Sequence, residues 1–289
     1  MAGETTIIRA GRGELWPRPG ALWRHRYLLY NLTLRDLKVR YKNSALGVIW
    51  SLLNPLLTML VFTLVFTVLM PNNSLRDYPV FILVGLLPWN FFRGALVGGT
   101  VSIVANSNLI KKVYFPRELL PAAAVLSNLV NFMLAAVILA VFLYASGLGV
   151  TIHALWLLPL LLIQIIFTLG LSLALGAVNV FYRDTMMILD VVLLAWFFLT
   201  PVFYPFDLLS QPSTLFGIEF IPAQVMRWLN PMASIIDGYR TVLWGSRLSQ
   251  GAVAMEPIYV LRTFITAVLF LAAGYAFFNR FQHLFGEKL

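Results

Sequence analysis

The chain has 289 residues, no cysteine and little charge. Without cysteine it can form neither a disulfide nor a thiolate metal site. Its three histidines, His25, His153 and His283, stand far apart and are interpreted as interfacial or solvated residues rather than metal ligands. Charged residues make up 11% of the sequence and hydrophobic residues 60%. A soluble domain of this length does not normally show that balance, so the composition predicts a polytopic membrane protein.

Motifs for catalysis and for nucleotide binding are also missing. The sequence has no G-x-x-x-x-G-K-[ST] loop and therefore no evident means of binding ATP through a Walker loop. It has no H-E-x-x-H, no G-x-S-x-G and no carboxylate cluster. We predict a chain that is not an enzyme and that holds no cofactor or metal of its own.

A basic segment at 24–44 precedes the first long apolar run. An aromatic and aliphatic stripe recurs there at steps of three and four residues, which predicts one face of an α-helix. The stripe consists of Tyr27, Tyr30, Leu34, Leu37 and Tyr41. The cations around it are Arg35, Lys38, Arg40 and Lys42. Such a helix is expected to lie in the lipid headgroup plane.

Six apolar segments are predicted to cross the membrane. The first, 46–70, has no ionisable residue and exceeds the roughly 30 Å hydrocarbon core at about 1.5 Å per residue. The others are 78–104, 119–146, 155–181, 186 to the TPVFYP segment at 200–205, and 258–278. Between 206 and 232 prolines divide the apolar sequence into pieces too short to cross. We predict short re-entrant helices there, entering from the outer face.

The distribution of cations predicts the orientation. The net charge is +9, and nine of the 21 Lys and Arg residues precede Ala45, a pattern typical of a membrane surface rather than of nucleic-acid binding. With both termini in the cytoplasm, 15 cations fall inside, and Arg76, Arg227, Arg240 and Arg247 fall outside. We expect a single permease domain over 1–289, comprising a mobile cytoplasmic lead-in at 1–20, the interfacial helix and a bundle at 46–281. No internal repeat is evident, which disfavours a secondary carrier.

Six sequence pieces, in this order, carry a family resemblance. They are RDLKVRYKNSALGVIWSLLNPLL, LVGLLPWNFF, NLIKKVYFPRELLP, FYRD, LTPVFYP and LNPMASIIDGYR, spread over 34–240. The chain resembles the permease subunit of type-2 ABC exporters of cell-surface polysaccharides, which include O-antigen, teichoic-acid and capsule exporters. The resemblance implies a homodimer of six-span subunits in the bacterial cytoplasmic membrane. It also implies two copies of a separate cytoplasmic ATPase that binds ATP and Mg, and a lipid-linked glycan as substrate.

By the same resemblance, the loop at 106–118 forms a coupling helix that docks on the ATPase. Its contact candidates are Lys111, Lys112, Tyr114, Phe115 and Arg117. The alternative is a loop that touches only headgroups. The cations of the interfacial helix suit lipid phosphate, a protein partner, or the pyrophosphate of a lipid-linked substrate.

Aromatic side chains inside the predicted spans are candidates for a glycan channel, because sugar rings pack weakly and repeatedly on aromatic faces. The candidates are Trp50, Phe62, Phe66, Trp89, Phe92, Trp196, Phe197 and Tyr204. Membrane-interface belts and ordinary packing are the alternative roles for each of them.

Arg93 and Asp190 are ionisable residues inside predicted spans, where a charge should face protein or water. Arg93 could line the path, pair with Asp190, or show that the second span is misplaced. Asp190 could reach the cytoplasmic interface beside Arg183 or take part in a proton relay. Three other functions are the alternatives to a polysaccharide exporter. They are an exporter permease for a drug or lipid, a proton-coupled secondary carrier, and a membrane scaffold without transport.

Overall fold

The computed structural model describes residues 24–42, 44, 46–47, 49–69, 75–215, 218–245 and 251–289. The predicted lead-in at 1–20 lies outside these residues. The helices are α1 (Arg26–Tyr41), α2 (Ile49–Thr63), α3 (Tyr78–Ala105), α4 (Ser107–Lys112), α5 (Leu119–Ala145), α6 (Leu157–Phe181), α7 (Thr185–Leu199), α8 (Pro222–Leu229), α9 (Pro231–Leu243), α10 (Pro257–Phe281) and α11 (Phe285–Lys288). A π-helical segment, Leu64–Leu69, extends α2, and the 3-10 turns are Ile152–Trp156, Phe206–Ser210 and Gln282–Leu284.

Five helical segments within the described residues are long and apolar enough to cross a membrane. They are Ile49–Leu69, Tyr78–Ala105, Leu119–Ala145, Ile152–Phe181 and Pro257–Lys288. The predicted fifth span corresponds to α7, which has only 15 residues. The TPVFYP segment ends this helix, since proline has no N–H to donate and its ring clashes with the preceding turn. The fold is therefore a multi-pass helical membrane bundle, and the count of six spans stays a prediction.

The region between α7 and α10 is not wholly helical. A 3-10 turn at Phe206–Ser210 is followed by two short antiparallel strands, β1 (Ser213–Leu215) and β2 (Ile218–Phe220), and only then by α8 and α9. The sequence predicts an all-α fold, which agrees with the helical elements of the bundle, and short helices throughout this region, which was wrong for the hairpin. The prolines mark breaks correctly, with Pro222 and Pro231 each at the first position of a helix. Re-entry into a membrane stays a prediction.

Two apolar clusters hold the bundle together at different levels. The smaller one joins α1, α3, α4, α5, α6, α10 and α11 through side chains such as Leu32, Phe115, Phe278 and Phe285. We call this end of the bundle, which holds α1 and the last helix of the chain, the terminal face. The larger cluster is centred on α3, α6 and α9 and extends toward the opposite end, where β1, β2 and α8 lie. We call that end the far face.

Small residues allow the long helices to approach closely. A Cβ atom built on Gly170 of α6 would lie 2.7 Å from the backbone of Leu271 in α10. Gly94 and Gly98 of α3 do the same against α5, where a Cβ on Gly94 would lie 2.7 Å from Asn128 Oδ1. The G-x-x-x-G spacing of α3 thus marks a close helix contact inside the subunit.

Candidate functional site

A cavity of about 570 Å³ opens between α1, α2, α3, α5 and α7. Its polar lining combines two arginines, one aspartate and four asparagines, and several aromatic rings complete the wall. The polar residues are Arg40, Arg93, Asp190, Asn54, Asn90, Asn128 and Asn131, and the rings include those of Trp50, Phe91 and Phe132. Polar side chains at such depth in a membrane bundle are expected to face water, one another or a ligand.

The carboxyl end of α1 is fastened to α5 at the edge of this cavity. Arg40 Nη1 donates to Asn128 Oδ1 at 3.0 Å, and the Tyr41 hydroxyl donates to Asn131 Oδ1 at 2.7 Å. Asn128 and Asn131 are three residues apart and therefore lie on one face of α5. Asn128 is roughly 14 Å along α5 from its start at Leu119, at about 1.5 Å per residue. The interfacial helix thus reaches well into the bundle.

Arg93 and Asp190 line the same cavity from α3 and α7. Among the hydrogen bonds and ion pairs of the described residues, neither side chain has a partner, and they do not pair with each other. Helix α3 has the bounds predicted for the second span to within one residue, so Arg93 is not a sign of misplacement. Pairing with Asp190 and a misplaced span do not fit the described residues, and a role for Arg93 in a transport path stays a prediction.

The charge of the cavity suits an anion. Arg40 and Arg93 together outweigh the single carboxylate of Asp190. A guanidinium group offers a planar fork of N–H donors that matches the oxygens of phosphate. The asparagine amides add neutral donors and acceptors, and Trp50 adds a ring face beside them. This combination can hold a phosphate group together with an attached polar, ring-containing group.

The other cations of α1 lie apart from the cavity. Arg35 pairs with the neighbouring Asp36 at 2.9 Å, and Lys38 and Lys42 are exposed. The predicted stripe divides, because Tyr27 and Tyr30 are exposed while Leu34, Leu37 and Tyr41 are partly buried. The residues of α1 most buried against the bundle are Leu32 and Thr33. The first part of the stripe, at Tyr27 and Tyr30, is thus exposed, and the part from Leu34 to Tyr41 lies against protein.

Most of the candidate channel aromatics pack against one another. Trp89 and Phe92 are buried in the large cluster, where Phe92 contacts Trp196 with ring centroids 5.1 Å apart. Phe62, Phe66 and Phe197 surround Phe203 at 5.7 to 5.9 Å. The Tyr204 hydroxyl donates to the Phe198 carbonyl. Trp50 is the member of this set that lines the cavity. Whether the others meet a glycan stays a prediction.

The predicted coupling loop separates into an outward and an inward part. Lys111, Lys112 and Tyr114 are exposed, Tyr114 by 87%. Phe115 is buried with Phe285 of the last helix in the terminal-face cluster. The Arg117 guanidinium donates to the Gln282 carbonyl and lies 5.9 Å from the Phe285 ring centroid, and burial lowers the pKa of Arg117. In this conformation Phe115 and Arg117 brace the loop, whereas Tyr114 and the two lysines are free to meet a partner.

Arg240 is a second arginine inside the bundle, at the level where α7 ends. It is only 4% exposed and donates to the carbonyls of Pro201, Val202 and Tyr204 in the TPVFYP segment. Its guanidinium carbon lies 3.8 Å from the centroid of the Phe81 ring. A Cβ on Gly85 would lie 2.7 Å from Arg240 Nη2, so glycine makes room for the guanidinium there. The tally of cations predicts Arg240 on the outer side, and the structure buries its side chain within the bundle rather than in solvent. The side of the membrane stays a prediction.

A neighbouring polar node ties the same segment to α9. Asn230 accepts from Trp196 Nε1 at 2.8 Å, donates to Thr200 Oγ1 at 2.9 Å, and accepts from the Ala233 N–H at 3.2 Å as the cap of α9. Trp196, a channel candidate, thus fixes the end of α7 to the start of α9.

Several of these residues could not be selected from the sequence. Asn128, Asn131 and Phe285 lie outside the six sequence pieces that carry the resemblance, and only the fold brings them to their partners. The DGYR tetrapeptide was a usable signal for Arg240, because its arginine follows a hydrophobic stretch. Among the described residues no three His, Asp or Glu side chains come together as metal ligands would.

A multi-pass helical bundle with a polar, arginine-containing cavity between its helices defines an integral membrane protein of the transporter class. The model of the ABC-2 type transporter family matches residues 27–244, and the chain belongs to this family.

Curated relatives cover almost the whole chain. It is 38% identical over 268 residues to the O-antigen export system permease protein RfbA of Myxococcus xanthus, which covers 93% of this chain and 97% of that protein. A protein of the same name from Klebsiella pneumoniae is 31% identical over 266 residues, covering 91% and 95%. The polysialic acid transport protein KpsM of Escherichia coli is 23% identical over 225 residues, covering 76% and 82%.

Proposed function

We propose that this chain is the membrane-spanning, non-catalytic subunit of an ATP-driven exporter that moves a lipid-linked polysaccharide across the bacterial cytoplasmic membrane. The observation that carries the proposal is the cavity at the end of α1, where Arg40 and Arg93 lie among amide side chains and beside Trp50. A lipid-linked glycan presents a phosphate, a sugar and an acyl chain at one junction. The cavity offers guanidinium groups for the phosphate and a ring for the sugar.

ATP hydrolysis is assigned to a separate subunit, because this sequence contains no Walker loop. The exposed side chains of Lys111, Lys112 and Tyr114 form a small basic and aromatic surface at the terminal face, suited to a protein partner. This assignment requires the terminal face, and with it both chain ends, to be cytoplasmic. The excess of cations near the amino terminus supports that orientation.

Assembly as a homodimer fits the distribution of exposed apolar residues. Helix α2 buries only Pro55 and exposes Leu57, Leu60 and Val61. Helix α7 exposes Ile188, Val191 and Leu194 in the same way. A second copy placed along α2 and α7 would enclose the polar cavity and form a path between the subunits.

The test is co-expression with candidate ABC ATPase subunits of the same organism, followed by purification through a tag on the permease. The proposal expects an ATPase of equal stoichiometry, and mass spectrometry should find a phosphate-linked glycolipid bound to the complex. Recovery of a drug-like molecule or a simple lipid would favour the alternative exporter. Transport driven by a proton gradient without ATP would overturn the proposal.

Orientation is checked in the natural cysteine-free background. Thr151→Cys lies in the exposed turn before α6, and Asn108→Cys is exposed in α4. A membrane-impermeant maleimide added to intact spheroplasts should label the first and not the second. The reverse pattern would place the terminal face outside and exclude ATPase docking there.

A further inference from the structure

Two arginines at the far face share one tyrosine ring. The guanidinium carbon of Arg227 in α8 lies 4.8 Å from the ring centroid of Tyr259, and that of Arg262 in α10 lies 5.6 Å from the same centroid. The two charges are therefore no more than about 10 Å apart. The guanidinium carbon of Arg227 also lies 4.9 Å from the ring centroid of Phe206, and that of Arg262 lies 5.3 Å from the ring centroid of Trp228.

The two cations are only partly neutralised. Asp237 approaches Arg227 at 3.8 Å, a long ion pair, and Asp207 is the next carboxylate near this group. Arg262 donates to the neutral Ser234 hydroxyl at 3.0 Å and makes no ion pair within the described part of the chain. Several N–H donors of the two guanidinium groups thus stay available, and planar donor forks of this kind bind phosphate oxygens.

The surroundings indicate a lipid rather than a soluble anion. Trp228 and Leu229 on α8 and Ile258 and Leu261 on α10 are exposed by 56 to 78% and flank the arginine pair. Arg262 is the sixth residue of α10, roughly 8 Å below its start at about 1.5 Å per residue. Where the start of α10 lies at the level of the headgroups, Arg262 would reach the boundary between headgroups and acyl chains, where Trp and Tyr also concentrate.

We infer that Arg227 and Arg262, framing Tyr259, form a binding site for the phosphate of an anionic phospholipid in the leaflet at the far face. The phosphate bridges the two guanidinium groups, and the acyl chains lie along the exposed apolar side chains of α8 and α10. The site is at the opposite end of the bundle from the cation cluster of α1. It does not depend on the proposed export function.

The first test uses the purified wild-type permease and needs no substitution. A photoactivatable phosphatidylglycerol, incorporated into nanodiscs of phosphatidylcholine, should crosslink to peptides from α8 and from the first two turns of α10. Crosslinks confined to other helices would overturn the proposal. Competition by millimolar inorganic phosphate equal to that by unlabelled phosphatidylglycerol would identify a site for free anions and exclude the lipid.

The second test compares retained lipid by native mass spectrometry. Arg262→Gln and Arg227→Gln should each weaken phosphatidylglycerol retention about fivefold, from roughly 1 kcal/mol per cation near a membrane surface. Arg262→Lys should keep most of it. Arg76→Gln is the matched control, because Arg76 is a cation near the far face that already pairs with Asp77 at 3.0 Å. Equal retention in all four variants would contradict the site.

Discussion

Arg240 and Arg93 are both arginines within the bundle, yet their surroundings are opposite. Arg240 is buried, donates to three backbone carbonyls and stacks on Phe81. Arg93 is exposed to a cavity and has no hydrogen-bond partner among the described residues. Arg240 Nη1 and Nη2 have backbone acceptors, and only its buried Nε has none among the described residues. A guanidinium held in this way stabilises the fold, whereas one without any partner at membrane depth is available to a ligand. The comparison indicates a structural role for Arg240, and for Arg93 it agrees with the proposed role in binding the exported phosphate.

The largest effect is expected from Arg240→Leu. The change leaves the carbonyls of Pro201, Val202 and Tyr204 without their buried donor, and each buried acceptor left without a donor costs about 1 to 3 kcal/mol. The variant should fail to accumulate as a monodisperse protein in detergent, as measured by fluorescence-detected size exclusion. Arg240→Lys keeps the charge but not the planar fork of donors, and its yield of monodisperse protein should fall between those of Arg240→Leu and the wild type. A stable Arg240→Leu variant would show that the carbonyls find other donors, and it would contradict the structural role of Arg240.

Arg93→Gln should give the opposite pattern. Because Arg93 has no hydrogen-bond partner to lose among the described residues, the free energy of unfolding should stay within about 0.5 kcal/mol of the wild-type value. The melting temperature should therefore hardly change. Export of the polysaccharide should fall by at least about tenfold, from the loss of charged hydrogen bonds to phosphate. Export is measured by labelling the glycan on the surface of a strain in which the permease gene is deleted and the variant is supplied instead. Arg35→Gln is the control, since Arg35 pairs with Asp36 away from the cavity, and an equal loss in both variants would argue against a site at Arg93.

A smaller effect is expected from narrowing the cavity wall. In Gly94→Ala the new Cβ would lie 2.7 Å from Asn128 Oδ1, the atom that accepts from Arg40. The amide must move, and the overpacking should cost about 1 to 2 kcal/mol and weaken export. The matched change Gly98→Ala places its Cβ 3.5 Å from the Ala124 Cβ, an ordinary contact, and should be tolerated. Equal melting temperatures for the two variants would mean that Asn128 is not held in place.

The smallest effect is expected for Glu118, a partly buried residue at the terminal face. Burial raises the pKa of its carboxyl above its ordinary value, while a backbone hydrogen bond and the charge of His25 oppose the shift. The folded state therefore holds the proton more tightly than the unfolded state, and stability falls as the pH rises from about 4.3 through the folded pKa. Glu118→Gln should flatten this part of the melting curve against pH. Glu287→Gln, at an exposed residue of the same face, is the control for the substitution itself.

Periodicity and proline positions predicted the long helices well, because apolar length and helix breakers act locally. The bounds of α3 and α5 differ from the predicted ones by a single residue. The hairpin at 213–220 was missed because short strands depend on hydrogen bonds to each other, which no local periodicity of the sequence reveals. Tyr114 and Phe115 are adjacent, and only the packing of Phe285 decides that one points outward and the other inward. The cavity likewise depends on five helices meeting, which no local pattern contains.

The shortness of α7 has a consequence for the barrier across the membrane. Its 15 residues extend about 22 Å, roughly 8 Å less than the hydrocarbon core. In the proposed dimer the second copy covers α7, so this hydrophobic mismatch would be met by protein rather than by thinning of the bilayer. Asp190, on α7, lines the polar cavity. The apolar distance that a polar headgroup has to cross would then be shortest beside that cavity.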